Sequence, residues 1–485
     1  MNELCMSTLS RKQNIFKLSC YLLLLLVFIT SCEENQRDIT YLGGKVVNPR
    51  AGFVIIHNYS DFRDTLELDE QQRFSFVNNN FKTGWYTFHH GDEYQSVYIK
   101  KGDSLKWRFN SKSFDESLAF TGSRAKENNY LINLYIELEQ LNDQITARYN
   151  QQPKDFKKYI DSIIKAQKKR LLKVAKVQEF DPKFVADAEK LIEWNGWSRL
   201  ERYPYTHFGK TDFLQVKGLP SNFFSHRNST NINDINNQNM YTFPSYVRSL
   251  VSNLSLYQCS LDKGNGADVH LGSLDYRKKK LKVIDSIFTV DELKDIYASA
   301  EVRNYIRSHK GDETVQSMID IFTEISSNDE LVAQINGLAS TYINLSPGNE
   351  IPNFELYNTE KNEVKINEVI DRMSVLFFWS YEDEDYAIRI HNQIRDLRTK
   401  YPEIKFIGIN IDNPNSDLWN KANKRLAFNP KHEYQIRDPK TINSQLALSK
   451  KNRSMVVSSR GIIMDPNINL FHYKIETTLL GYLSR

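Results

Sequence analysis

Three kinds of hydrophobic pattern follow one another along the chain. From residue 38 to about 122, short runs of alternating apolar and polar residues are broken by turn-forming pairs. Candidate strands are 45–47, 53–58, 64–68, 73–77, 85–89, 94–100 and 104–109. Such alternation buries one face of a pleated strand. The breaks, among them Gly43-Gly44, Asn48-Pro49, Gly91-Asp92 and Gly102-Asp103, carry turn chemistry. Short strands at this spacing predict a β-sandwich or small barrel. His89 and His90 are neighbours in one strand, so they face opposite ways and cannot chelate one metal ion together.

From 123 to about 345 the period changes to that of helices. Tyr159, Ile160, Ile163, Ile164, Leu171 and Val174 form a stripe, with Lys165, Lys168, Lys169 and Arg170 on or near the polar face. A basic amphipathic helix can lie on an anionic membrane; the acids close by, Asp155, Asp161 and Glu179, favour an ordinary solvated face. The run Arg277-Lys278-Lys279-Lys280 reads the same way. Residues 315–342 predict one or two further helices. Between the helical blocks, 208–243 is irregular, and Asn231 to Asn239 reads as an exposed loop. Phe223, Phe224, Tyr241 and Phe243 flank it and make it a candidate ligand cleft. Long loops of this kind are functional or mobile.

From 346 onward, strands and helices alternate. The apolar run Ser374-Val375-Leu376-Phe377-Phe378-Trp379-Ser380-Tyr381 predicts a buried strand. Tyr386, Ile390, Ile394, Leu397 and Tyr401 then fall on one helical face. Further strands are expected at 404–409, 455–458 and 462–465, and helices at 366–370, 418–426, 442–448 and 475–483. Alternation followed by a hairpin predicts a mixed sheet with helices on both faces. The fold class is therefore multidomain α+β, with a signal at 1–31, a tether at 32–37, a β-sandwich-like domain at 38–122, a helical region at 123–345 and an α/β domain at 346–485.

Charge adds little: 64 basic against 60 acidic residues leave a formal net charge of +4, which gives no electrostatic case for a nucleic-acid partner. The amino terminus adds more. Arg11, Lys12 and Lys17 precede the apolar run 18–29, the basic and hydrophobic parts of a secretory signal, too short for a spanning helix. The run ends Ile29-Thr30-Ser31-Cys32, which resembles a bacterial lipobox; the resemblance implies lipid on Cys32 and a membrane-attached, extracytoplasmic protein. Acidic Glu33 and Glu34 resemble surface-export signals of Bacteroidetes lipoproteins. Cys5 and Cys20 leave with the signal, so Cys259 remains as the single thiol, read as buried helix core.

Phe378-Trp379-Ser380 resembles the Phe-Trp-Ala that precedes the redox cysteines in the TlpA/AhpC-like thioredoxin family, and Pro347-Gly348 through Phe354 resembles that family's opening. The stretch Lys101-Gly102-Asp103-Ser104-Leu105 with Asn128-Asn129-Tyr130-Leu131 is similar to the β domain ahead of such modules in Bacteroidetes lipoproteins. The resemblance implies a thioredoxin-like domain over 346–485 with its two cysteine positions at Asp383 and Tyr386, beside Trp379. The family's cis-proline would fall near 452–454, and no proline lies between Lys440 and Asp465. Thiol exchange needs a thiolate, and carboxylate and phenol supply none. Glu382, Asp383, Glu384 and Asp385 then have two readings: negative charge favouring a helix N-terminus, or an acidic cluster for a cation or basic partner. No catalytic residue, cofactor or metal ligand set is expected. Three functions are open: a redox-inactive, lipid-anchored envelope protein that binds or scaffolds an envelope protein or ligand; a TlpA-like thiol-disulfide oxidoreductase; and a nutrient-capture lipoprotein holding peptide or glycan in the 208–243 cleft.

Overall fold

The computed structural model describes residues 39–209, 218–263, 269–309, 313–381, 383–414, 418–448 and 453–484. The signal, Cys32 and the tether lie outside these residues, as does Glu382. Among the described residues no helix is long and apolar enough to cross a membrane.

The first region is two four-stranded sheets. One is built from β1 (Thr40–Val47), β4 (Arg73–Asn78), β7 (Ser104–Asn110) and β8 (Ala119–Gly122) in the order β4-β1-β7-β8. The other takes β2 (Phe53–His57), β3 (Arg63–Glu67), β5 (Gly84–His90) and β6 (Glu93–Ile99) in the order β3-β2-β5-β6. Leu42, Val46, Phe74, Trp107 and Phe109 of the first pack with Val54, Ile56, Phe88 and Val97 of the second in one core. One expectation is corrected. Gly43-Gly44 is no break: β1 runs through it, because both neighbours need the space. A Cβ on Gly44 would enter the ring of Phe74 and the carbonyl of Trp107, and one on Gly43 would meet the Tyr41 phenol. Ala119–Gly122, with little apolar signal, is a strand because β7 supplies its partner in register.

The helices that follow are α1 (Phe114–Ser117), α2 (Ala125–Thr146), α3 (Pro153–Gln178), α4 (Pro182–His207), α5 (Thr242–Lys263), α6 (Leu274–Ile287), α7 (Asp291–Ser308), α8 (Thr314–Ile325) and α9 (Asp329–Asn344). Their starts follow capping chemistry. Asp181 accepts from Lys183 N and Phe184 N ahead of Pro182, and Asn328 accepts from Leu331 N. The basic run at the start of α6 is only partly solvated. Arg277 Nη1 and Lys280 Nζ reach the buried carboxylate of Glu301 on α7 at 2.5 and 2.7 Å.

The exposed loop expected at 231–239 is also corrected. Asn237, Gln238 and Asn239 are buried. Asn239 Oδ1 accepts from Tyr59 N at 2.8 Å, its carbonyl accepts from Ser96 Oγ at 3.2 Å, and Gln238 Nε2 donates to Tyr297 Oη at 2.8 Å. An asparagine-rich segment reads as solvated, yet its amides are what a buried turn needs to satisfy strand edges and helix ends. Phe223 and Phe243, expected to flank a cleft, are fully packed.

The last region is one seven-stranded sheet. Its strands are β9 (Glu355–Asn358), β10 (Glu363–Lys365), β11 (Ser374–Trp379), β12 (Lys405–Asn410), β13 (Glu433–Ile436), β14 (Ser454–Val457) and β15 (Ile463–Asp465), ordered β10-β9-β13-β12-β11-β14-β15. Helices α10 (Ile366–Val369), α11 (Glu384–Lys400), α12 (Leu418–Arg425), α13 (Pro439–Gln445) and α14 (Ile475–Leu483) complete it. β11 pairs parallel with β12 and antiparallel with β14. All six of its residues are buried, and the pleat explains why. Val375, Phe377 and Trp379 point to the layer holding Tyr386, Ile390 and Ile394 of α11. Leu376 and Phe378 point the other way, into a core shared with the middle helices. That second core continues through Leu191, Val247 and Val302 to Trp85 and Tyr98 of the β region.

Candidate functional site

At the carboxyl ends of β11, β12 and β13 the chain places a set of polar side chains inside the protein. Ser380 Oγ donates to Asp412 Oδ1 at 2.5 Å, and Tyr381 N donates to Asp412 Oδ2 at 2.7 Å. Asn410 Nδ2 donates to Asp412 Oδ2 at 2.8 Å and its Oδ1 accepts from Gln435 Nε2 at 3.0 Å. Ser380, Asn410, Asp412 and Gln435 are all buried. Open α/β sheets bind ligands just outside such strand ends. Here Asp412 ties down the loop that carries the predicted positions and fixes its backbone.

The predicted residues come together on that loop. Asp383 is the N-cap of α11, its Oδ1 accepting from Tyr386 N at 3.1 Å. Its side chain thus satisfies one of the orphan donors at a helix start. Tyr386 is buried, and its phenol is pushed up to about 12 by burial and then by the Asp383 carboxylate. A neutral, buried phenol at this pH range is packing, not a nucleophile. Beside it opens a hollow of about 380 Å³ lined by Tyr386, Arg389, Ser454, Asn467, Asn469 and Phe471. Asp385 is exposed and faces Arg50 Nε of the β region at 3.8 Å. A pair so exposed adds little stability. Glu382 and the Glu384 side chain lie outside the described residues. Among the described residues no group of three or more His, Cys, Asp or Glu could hold a metal ion.

Trp379 sits on the opposite side of the sheet from the helical middle. Its Nε1 donates to Glu433 Oε2 at 3.0 Å, and the other Glu433 oxygen meets His391 Nε2 at 3.2 Å. His391 Nδ1 meets the carbonyl of Ala387 at 2.6 Å, and its ring stacks on Phe428 with centroids 3.4 Å apart. Helix geometry alone sets His391 apart from the loop; the structure places it against the predicted Trp379, through Glu433. A carbonyl and a carboxylate therefore flank the ring, one at each nitrogen. The ring packs against Trp379, Phe377 and Phe428, which makes the pair of His391 and Glu433 a structural rivet.

Where the sequence has no proline, the structure puts Arg453. Its carbonyl accepts from Phe378 N at 3.0 Å. Its buried guanidinium donates to the carbonyls of Pro466 (2.8 Å) and Leu446. Residues 451–452 lie outside the described ones. Cys259, the single cysteine among the described residues, is in α5, in a cluster with Leu256, Val269, Tyr276 and Tyr205. No residue of 346–484 belongs to that cluster. Sequence reading missed Asn410, Asp412, Glu433, Gln435 and Arg453. The findable signal was Asn410-Ile411-Asp412, two polar residues at the end of an apolar strand, the end at which open α/β sheets bind ligands.

A parallel strand–helix–strand unit, an antiparallel hairpin and a closing helix define a thioredoxin-like fold for the last region. No family model matches the chain, and no curated protein does. Solved structures resemble part of it. A Bacteroides vulgatus protein assigned as a thiol-disulfide oxidoreductase is 15 % identical, over 28 % of this chain and 97 % of its own, with a TM-score of 0.26. A Chlorobium tepidum protein assigned as the thiol:disulfide interchange protein DsbE is 16 % identical, over 28 % of this chain and 98 % of its own, with a TM-score of 0.24. The thioredoxin domain of another Bacteroides vulgatus thiol-disulfide oxidoreductase is 12 % identical, over 28 % and 97 %, with a TM-score of 0.24. At this identity and score the likeness is one of partial fold, and what those proteins do stays with them.

Proposed function

We propose that this chain is a lipid-anchored protein of the cell envelope, attached through Cys32, whose thioredoxin-like domain binds or scaffolds a partner and performs no thiol chemistry. The observation that carries the reading is the state of the two positions that would hold sulfur. Asp383 is spent on capping α11, and Tyr386 is packed and neutral. Residues 260–485 contain no cysteine at all. The one thiol within the described residues, Cys259, packs among helices of the middle region. Disulfide exchange requires a thiolate that attacks and a sulfur that leaves, and this loop has neither. The hollow beside Tyr386, with Arg389 as its cation and Asn467 and Asn469 as amide donors and acceptors, is where a partner segment would dock.

In the presence of the full chain, purified in detergent, insulin disulfides are expected to be reduced no faster than by dithiothreitol alone. Turnover above background that disappears in Cys259→Ser would overturn the reading in favour of a one-thiol oxidoreductase. Anchoring is tested separately: labelled palmitate should enter the chain and be lost in Cys32→Ser. Unlabelled native protein refutes the anchor and leaves the redox reading standing.

A further inference from the structure

We propose that the outer face of the β4-β1-β7-β8 sheet is a binding site for an acidic oligosaccharide, a chain of sugar rings bearing carboxylate or sulfate groups. The proposal is independent of how the thioredoxin-like domain is read. Its first support is register. Lys45 of β1 pairs with Arg73 of β4 on one side and with Arg108 of β7 on the other. Alternation puts all three on the solvent face, and all three are exposed. Neighbouring strands lie about 4.8 Å apart, so Arg73 and Arg108 mark the ends of a line of charge about 10 Å long. Like charges placed directly opposite each other across strands are destabilising. No carboxylate among the described residues forms an ion pair within 4.0 Å of any of the three. The row is a cost to the fold that a bound anion would offset.

The second support is shape. Gly43, one pleat along from Lys45, has no side chain, and the Tyr41 phenol occupies the space a Cβ would take. Lys106, the β7 partner of Gly43, holds its ammonium over that ring, 5.5 Å from the centroid. The result is a hollow of about 730 Å³, walled by the four cations and by Thr121. That size suits a ligand of several rings rather than one small ion.

The third support is the mixed chemistry of the wall. Glu67 and Asp69 border the same hollow. Polyphosphate or nucleic acid would meet them as repulsion, whereas sugar hydroxyls would donate to them. A ligand that must satisfy aligned cations and also give hydrogen bonds to carboxylates is an acidic sugar chain.

The test titrates the full chain, in detergent, with a polygalacturonate hexamer, dextran sulfate, neutral dextran and polyphosphate, by calorimetry at low and physiological salt. Saturable binding to the hexamer or to dextran sulfate is expected, weakening with salt, with no binding of neutral dextran. The Lys45→Gln/Arg108→Gln variant should lose affinity at least tenfold while its melting temperature holds or rises, since it removes repulsion. An unchanged affinity in that variant overturns the site. So does polyphosphate binding as tightly as the acidic sugars, or no binding of either acidic sugar. The variant Glu67→Gln/Asp69→Asn separates sugar from generic anion: it should weaken the hexamer and strengthen polyphosphate, and strengthening both refutes the sugar.

Discussion

Trp379 Nε1 donates to Glu433 Oε2 at 3.0 Å, a bond that runs from the end of β11 to the start of β13 and passes over β12. It can do so because β12 has Gly408 at the crossing point. Gly408 is the register partner of Glu433, and a Cβ on it would overlap the Glu433 carboxylate. Glu433 is fully buried and held by Trp379 and His391, so it has nowhere to swing. Gly408→Ala is therefore expected to push the carboxylate off its indole and imidazole partners. Leaving such groups buried and unsatisfied costs about 1–3 kcal/mol, readable as a lowered urea midpoint with unchanged slope. Stability within 0.5 kcal/mol of the native protein would mean that the rivet is not one.

The assignment of Asp383 and Tyr386 to vacant sulfur positions can be tested by putting sulfur there. In a Cys259→Ser background, Asp383→Cys/Tyr386→Cys places two thiols at the N-cap and third residue of α11, a spacing that thioredoxin-like domains use. Mild oxidation should remove both thiols from titration, and reduced protein should then exchange disulfides faster than either single variant. The cost is real: losing the cap takes about 1 kcal/mol, and cutting back a buried aromatic about 3–5 kcal/mol. Circular dichroism must therefore confirm the fold first. Two thiols that stay titratable in a folded protein would show that the loop is not in thioredoxin geometry.

How far the chain could be read without coordinates follows from which interactions are local. The face Tyr386, Ile390, Ile394, Leu397 and Tyr401 is a 3.6-residue repeat, and the structure buries all five. The closing helix, expected at 475–483, is found there because its apolar spacing is continuous. β10 and β13 went unseen: Glu363–Lys365 and Glu433–Ile436 each mix charge with apolar residues, and pairing across the sheet is what makes them strands. The same holds for the site. Trp379 and Asp383 stand in a recognisable phrase, whereas Asp412 and Glu433 matter through distances that no spacing along the chain expresses. The buried Asn237–Asn239 turn inverted its own composition. Amides signal solvent until a strand edge is there to receive them.

His57 and His89 give a pH signature. Their Nε2 atoms lie 2.8 Å apart, with rings stacked at 4.9 Å. Burial lowers His57, and burial, then His57, then Arg63 lower His89 to about 4. In the unfolded chain both titrate near 6.5. Between those values the unfolded chain binds protons that the folded one does not. Stability should hold above pH 7, fall as pH drops through 6.5, and keep falling towards 4, by about 1.4 kcal/mol per pH unit for each excess proton. The His57→Gln/His89→Gln variant should lose less stability than the native protein between pH 7 and pH 5, in parallel urea titrations. Equal losses would place the titrating groups elsewhere.

Glu201 is a buried charge on α4 that holds the irregular segment. His226 Nε2 reaches Oε1 at 2.8 Å, Arg227 Nε reaches Oε1 at 2.8 Å and its Nη2 reaches Oε2 at 2.5 Å, and Asn253 Nδ2 reaches Oε2 at 2.7 Å. Burial alone would raise this carboxyl; the bonds from Arg227 and His226 outweigh it and bring the group below its ordinary value. Removing one member of a buried pair strands the other, at a cost of about 3–5 kcal/mol, whereas replacing both with apolar residues is often near neutral. Glu201→Gln should therefore lower stability by that order and open 218–241 to limited proteolysis. Glu201→Leu/Arg227→Leu should recover most of the loss, although His226 then lacks its acceptor. If both variants melt like the native chain and resist the protease equally, the segment is held by Phe223 and Phe243 packing, and the charge is incidental.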